Sequence, residues 1–146
     1  MEEKKRNIDR RLEQKIGFDQ IRRIISDRCS TAYAVERTAT ETFSTNQAHI
    51  RKRLLLTDEM RLIMMFEDGF PSGGFIDCID FLKPLERSSS AIDLLSLRKL
   101  KTMLETLRKV TSFFEGIKDG VYPNLKRMSS RILNFPEIQR RIDGIL

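Results

Sequence analysis

What this sequence has least of is the raw material of catalysis. His49 is the only histidine in 146 residues, so a serine or cysteine nucleophile would have a single side chain from which to draw its usual base. His49 falls on the outward side of a predicted helix start, which suits a solvated imidazole. The two cysteines, Cys29 and Cys78, lie far apart and lack metal-ligand spacing. They read as reduced, half-buried thiols of a cytoplasmic chain. Glu67-Asp68 and Asp77 with Asp80 come nearest to a metal-binding cluster, yet both pairs suit loop and helix-start positions that the helix dipole already favours. No apolar run approaches the ~18 residues of a membrane span, and the charged start Met1-Glu-Glu-Lys-Lys-Arg6 leads into no apolar export signal. Gly69-Phe-Pro-Ser-Gly-Gly74 follows no predicted strand, and the Gly-Lys-Ser/Thr ending of a P-loop occurs nowhere. No catalytic, metal or cofactor site is therefore expected in this chain.

What is abundant is helix-forming, amphipathic sequence. Hydrophobic residues make up 40% and charged residues 33%, too apolar for a disordered chain, and the length suffices to bury a core. Lysine and arginine outnumber aspartate and glutamate by 27 to 21, for a net charge of +6. With a pI near 9.6, that balance suits an anionic partner such as nucleic acid. The expected organisation is a charged, flexible N-terminus over residues 1–11 and a single helical domain over residues 12–146.

Every long segment carries the 3.6-residue period and none alternates like a strand, so the fold class is all-α. Gly17 interrupts the chain just before Phe18, Ile21, Ile24 and Ile25, which share one helical face while Arg22, Arg23 and Asp27 point away. Asp19 then places negative charge in the first turn. A short helix follows at about Ala32 to Thr42, capped by Ser30 or Thr31. Ser44 and Gln47 have capping-box spacing with Phe43 and Ala48 in staple positions, which predicts a long helix from there to Phe66. Its second half, Leu62-Ile-Met-Met-Phe66, is apolar around most of its circumference and fits a central core helix better than a partner surface. Beyond the glycine loop, Ile79, Phe81, Leu82 and Leu85 predict a short helix disturbed at Pro84, and Ser88-Ser-Ser90 a connection.

Asp93 can cap the longest helix, where Leu97, Leu100, Leu104, Leu107, Val110, Phe114 and Ile117 form a continuous stripe. At 1.5 Å per residue it should be roughly 35 Å long and needs a helical partner, either the earlier long helix or a second subunit. The same chain is preferred, as sequential helices commonly pack together. Pro123 and Pro136 fit first-turn positions of two more helices, to about Leu133 and Ile145. The expectation is a multi-helix bundle with two long packed helices, about 45–66 and 94–117, and shorter helices around them. The last helix stops at Leu146 without a cap, which suggests a piece of a longer protein.

Basic residues supply the remaining functional signal. Arg51, Lys52 and Arg53, then Arg98, Lys99 and Lys101, are candidate phosphate contacts, with Arg108-Lys109 and Arg140-Arg141 as further basic pairs. Glu41, Glu59, Glu105 and Glu137 interleave with them, so the same positions also read as solvated sides of amphipathic helices, and the mixture of signs favours that reading. No aromatic ladder for stacking bases is present, because most of the nine phenylalanines lie on apolar faces or beside turns.

The stretch Leu12-Glu-Gln-Lys-Ile-Gly-Phe-Asp-Gln-Ile-Arg22, followed by Asp27-Arg-Cys29 and Thr31, resembles the start of bacterial MutS-family proteins of the branch that ends in a Smr endonuclease domain. Further similarities follow in order: Phe43-Ser44, Thr57-Asp-Glu59 within Ile50 to Arg61, Phe70-Pro71, Phe75-Ile-Asp77, Ile92-Asp93, Tyr122-Pro123 and Phe135-Pro-Glu-Ile-Gln-Arg-Arg-Ile-Asp143. The resemblance covers nearly the whole chain from Leu12. It implies the N-terminal part of the helical core and lever that joins a DNA-embracing clamp to a dimeric ABC-type ATPase, in proteins of mismatch repair or recombination suppression. The Smr branch is also linked to rescue of stalled ribosomes. The implied partners are the clamp and ATPase domains of a parent protein, and weakly held DNA or ribosomal RNA. ATP and Mg belong to domains further along such proteins, and no ATP-binding or nuclease residue carries over. Ala34 stands where the family usually has glycine, and arginines replace some of its acids. A free-standing helical module that dimerises through its long helix is the alternative.

Overall fold

The computed structural model of the chain describes residues 10–87 and 90–146. The N-terminal stretch 1–9 and Ser88-Ser89 of the expected connection lie outside the described residues. Among those described, secondary structure is entirely helical. Seven helices follow the leading helical residues 10–15: α1 (Phe18–Asp27), α2 (Ala32–Thr40), α3 (Gln47–Phe66), α4 (Ile79–Leu82), α5 (Leu94–Gly116), α6 (Pro123–Ser129) and α7 (Pro136–Asp143). The chain forms two compact units, the first ending at Ser44 and the second running Thr45–Leu146.

In the first unit the helix starts are set locally. Gly17 takes a left-handed φ of 73°, a conformation that costs a side-chain-bearing residue strain and costs glycine almost none. Thr31 caps α2 by accepting a hydrogen bond from the backbone N–H of Ala34 at 3.1 Å. Ala34 lies within regular helix, so alanine is accommodated there without strain. α1 packs against α2, yet neither helix contains a buried residue. Phe18, Ile21, Ile24 and Ile25 all remain exposed.

In the second unit α3 starts two residues later than the capping box predicts. Asn46, not Ser44, caps it, accepting from the backbone N–H of His49 at 3.0 Å. Asparagine is as strong an N-cap as serine and is spaced for the third helical N–H, so the later start satisfies the same orphan donor. His49 itself is exposed. Asp93 caps α5 as expected, accepting from Leu95 and Ser96 N–H at 2.9 and 3.0 Å. The Ser96 hydroxyl also donates to it, and these bonds hold its carboxyl below the usual aspartate range. At Pro84 the short helix α4 tightens into a 3-10 turn, Lys83–Glu86, as a ring without an N–H dictates. Pro123 and Pro136 open α6 and α7.

The core sits in this unit. Ile63 from α3, Val110 and Phe114 from α5, and Tyr122 and Leu125 at α6 form one buried cluster, which Met60, Phe70, Phe75 and Phe113 flank. The two long helices thus share an apolar core, with α6 packed on both and α7 on α5. Phe70, Phe113 and Phe114 meet edge to face, with centroids 5.2–6.1 Å apart, the arrangement the ring quadrupole favours. The expectation of a central helix at residues 62–66 holds for Ile63, which is fully buried, and fails for Met64, Met65 and Phe66, which are exposed. One face of α3, carrying Leu56, Met60 and Ile63, rather than the whole circumference of its end, therefore enters the core. The leucine stripe of α5 is also graded. Val110 and Phe114 are buried, while Leu97, Leu100 and Leu104 are only half-buried.

The loop between α3 and α4 lies against α5 at Gly74, whose φ is 85°. The Thr106 hydroxyl donates to its carbonyl at 3.1 Å, and a Cβ on Gly74 would collide with that hydroxyl. Gly74→Ala should therefore lower the unfolding free energy by about 1–3 kcal/mol through combined backbone strain and overlap. A urea denaturation midpoint equal to that of the unsubstituted chain would contradict this packing.

Candidate functional site

Each unit is fastened by a charged side chain that reaches the end of a helix. In the second unit that side chain is Glu59, which the sequence pattern places among the solvated charges. It is instead buried, at 8% exposure. Its Oε1 accepts from the Asn124 backbone N–H at 3.1 Å and from Asn124 Nδ2 at 2.7 Å, and its Oε2 accepts from the Leu125 N–H at 2.7 Å. The two backbone donors are first-turn amides of α6, which have no intrahelical acceptor and carry the positive end of the helix dipole. The carboxylate thus holds three charge-assisted bonds across 65 residues of chain. About two turns further on, at the C-cap of α3, Glu67 accepts the Tyr122 hydroxyl proton at 2.9 Å. Burial pushes the Tyr122 phenol above its usual value, and the adjacent carboxylate pushes it the same way. At the other pole of this hub, Lys126 donates to the Ile117 carbonyl at the C-terminus of α5 and pairs with Asp119, both at 2.6 Å. That pairing holds the Asp119 carboxyl below its usual range.

In the first unit the fastening side chain is Arg22. The sequence pattern has it pointing away from the apolar face of α1, but its guanidinium lies over the Phe18 ring one turn earlier, 5.4 Å from the centroid, and meets protein instead of water. Its guanidinium donates to the Thr38 carbonyl, to the Glu41 carbonyl at 2.9 Å and to Glu13 at 2.5 Å. Carbonyls at a helix C-terminus carry partial negative charge without intrahelical donors, and a planar five-donor group suits several of them together. A groove of about 720 Å³ opens beside this clamp, lined among others by Arg10, Asp19, Arg23 and Asp27. With Arg22 committed to protein acceptors, the remaining lining charges are of both signs, so the groove carries no strong preference for an anion.

The six basic residues predicted to contact phosphate lie on two helices of the second unit. Arg51, Lys52 and Arg53 occupy the second turn of α3, and Arg98 and Lys99 that of α5, all exposed. Lys101 is half-buried and pairs with Asp143 at 2.6 Å, which raises its pKa. It ties α5 to α7 and is less available to a phosphate than its neighbours. Cys29 is half-buried and Cys78 buried, both as free thiols. Burial pushes the Cys78 thiol up, away from the reactive thiolate. Among the described residues no three His, Cys, Asp or Glu side chains converge as a metal site, and no helix is long and apolar enough to cross a membrane.

Sequence reasoning missed Glu59 and Arg22 as tethers because both partners are distant in the chain. The available hint is Tyr122-Pro123-Asn124, a helix start lacking a Ser, Thr or Asp cap of its own. Its orphan amides must find an acceptor elsewhere.

Two substitutions test these tethers. Glu59→Gln retains volume but puts an amide N–H against the α6 donors, and should cost about 2–3 kcal/mol of stability in urea titration. A loss within experimental error of zero would show the bonds to be incidental. Arg22→Lys keeps the charge but cannot span three acceptors, so amide exchange at the C-terminal turn of α2 should accelerate as much as in Arg22→Ala. Full protection in the lysine variant would mean that charge alone suffices.

Comparison of the chain with protein-family models, with curated proteins and with solved structures returns no match.

Proposed function

We propose that this chain is a helical strut in a MutS-type DNA-processing protein, corresponding to the N-terminal part of its core and lever. Its role is to pass conformational change between a DNA clamp and an ATPase while performing no reaction itself. The observation that best supports this reading is the Glu59 tether. A carboxylate on one long helix grips the amides of α6, and a lysine of α6 grips the end of the other long helix. Elements joined in this way move together, and transmission over a distance requires parts that shift as rigid bodies rather than deform.

The exposed arginines and lysines at 51–53 and 98–99 give such a strut an electrostatic attraction to phosphate backbones. DNA and ribosomal RNA offer the same phosphates, so the charge pattern serves either. The proposal places the chain in the cytoplasm, where such nucleic acids are met.

On this reading the chain alone binds duplex DNA weakly, without sequence preference, and loses affinity steeply with salt. A gel-shift titration at about 50 and about 200 mM salt measures this directly. Tight, sequence-selective binding that survives the higher salt would overturn it. The family assignment has its own check, a reading frame continuing past Leu146 into a Gly-x-x-x-x-Gly-Lys-Ser/Thr loop.

A further inference from the structure

The outward face of α3 carries a second pattern that neither the core nor phosphate attraction explains. Ile50, Leu54 and Leu55 are exposed, Leu54 to 64%. With Gln47, Arg51 and Asp58 they line a shallow depression of about 370 Å³. This face lies opposite the one that carries Glu59 and Ile63 into the core, as the helical period requires. Arg51 and Asp58 are seven residues apart, about two turns, so they stand nearly above one another, on the line that runs between Leu54 and Leu55. They are also equidistant from the midpoint between Leu54 and Leu55.

That symmetry matters for one kind of partner. A two-fold axis through the midpoint, perpendicular to α3, lays a second copy of the helix antiparallel over the first and keeps each lateral edge on its own side. Leu54 and Leu55 of one copy then meet their counterparts. Arg51 of each copy falls opposite Asp58 of the other, so the same pair is made twice. Any other register of this face loses the match; an axis at residue 58, for example, would set Asp58 against Asp58. Among the described residues Asp58 pairs only with its i+3 neighbour Arg61, at 2.8 Å with both side chains exposed, a weak pair that is readily exchanged. Arg51 makes no ion pair among the described residues.

We propose that this face of α3 is a self-complementary docking surface for a second copy of the chain, antiparallel, with Leu54 and Leu55 at its centre and reciprocal Arg51–Asp58 pairs one turn to either side along the helix. The inference is independent of the strut reading, since it concerns the face of α3 turned away from the Glu59 hub.

The test is sedimentation equilibrium of the full 146-residue chain at low salt. The unsubstituted chain should show a monomer–dimer equilibrium. R51D and D58R, each alone, place like charges opposite each other and should weaken self-association about tenfold. Mixing the two in equal amounts restores opposite charges in both pairs, and association should return to the original level. The double variant R51D/D58R, which reverses both pairs, should also self-associate normally. Both positions of change are exposed helical sites, so circular dichroism should stay constant and loss of folding cannot imitate the pattern. A chain monomeric at high concentration would overturn the proposal. So would a dimer indifferent to the single swaps, which would place the contact on another surface, or one that the mixture fails to rescue.

Discussion

The second unit depends on a negative charge held out of water. Removing a carboxylate from solvent is costly unless donors replace its hydration, and Glu59 finds three at the start of α6. The cost is offset because two of the three are backbone amides of the helix start, themselves orphans that need an acceptor. Neither side is satisfied alone. The bond set is therefore a joint condition on two segments 65 residues apart, and it decides where α6 sits before any apolar contact is counted. Once α6 is placed, Leu125 and Tyr122 fall against Ile63, Val110 and Phe114, and the cluster closes. Lys126 then applies the complementary rule at the opposite sign, cation against the carbonyl end of α5. A seven-residue helix, too short to persist by itself, thereby becomes the joint between helices of 20 and 23 residues.

The first unit is built on the same charge-to-helix-end principle with little apolar support. Arg22 ties α1 to the last carbonyls of α2 and to Glu13, while the isoleucines of α1 remain exposed. The second unit combines its tethers with a phenylalanine-rich core and a loop seated on Gly74. Polar clamps specify geometry strongly but contribute less free energy than apolar burial on this scale. The physical expectation is a graded chain, with residues 10–44 opening at lower cost than the Val110–Phe114 region.

How far the sequence was legible follows from the range of the interaction concerned. Gly17, Thr31, Asp93, Pro84, Pro123 and Pro136 act within a few residues of themselves, and the helix boundaries they announce are found within one to a few residues. The all-helical class and the two long helices follow from periodicity in the same way. Asn46 displaced Ser44 because both residues are competent caps three residues from a suitable amide, and local spacing alone does not rank them. Glu59 and Arg22 were legible only as charges. Their partners are a helix start and a helix end elsewhere in the chain, visible only as unmet backbone groups. The hydrophobic end of α3 misled for a related reason. Periodicity gives the width of an apolar surface, whereas the number of faces that find neighbours is set by tertiary packing; Ile63 and, in part, Leu62 found them, and Met64, Met65 and Phe66 did not. The six basic candidates are placed on two helices, and Lys101 is drawn into a pair with Asp143 that its sequence spacing did not announce.

Burial divides the charges of this molecule into two populations that respond differently to solvent. Glu59 has little water around it, so mobile ions reach it poorly and its bonds are largely insensitive to ionic strength. Arg51, Lys52, Asp58, Arg98 and the Arg140–Glu137 pair stand in solvent, where about 0.15 M salt screens them beyond roughly 8 Å. Salt therefore changes what the surface can attract while leaving the interior geometry in place. The proposed strut role needs that separation. Whatever the outer faces of α3 and α5 engage, DNA phosphates or a second copy of α3, engagement can be weakened or strengthened by ions and by charge substitutions without loosening the hub at α6. The same separation explains why a basic surface and a carboxylate-centred interior coexist in one 20-residue helix: the face of α3 carrying Glu59 answers to α6, and the face carrying Arg51 answers to the solvent side.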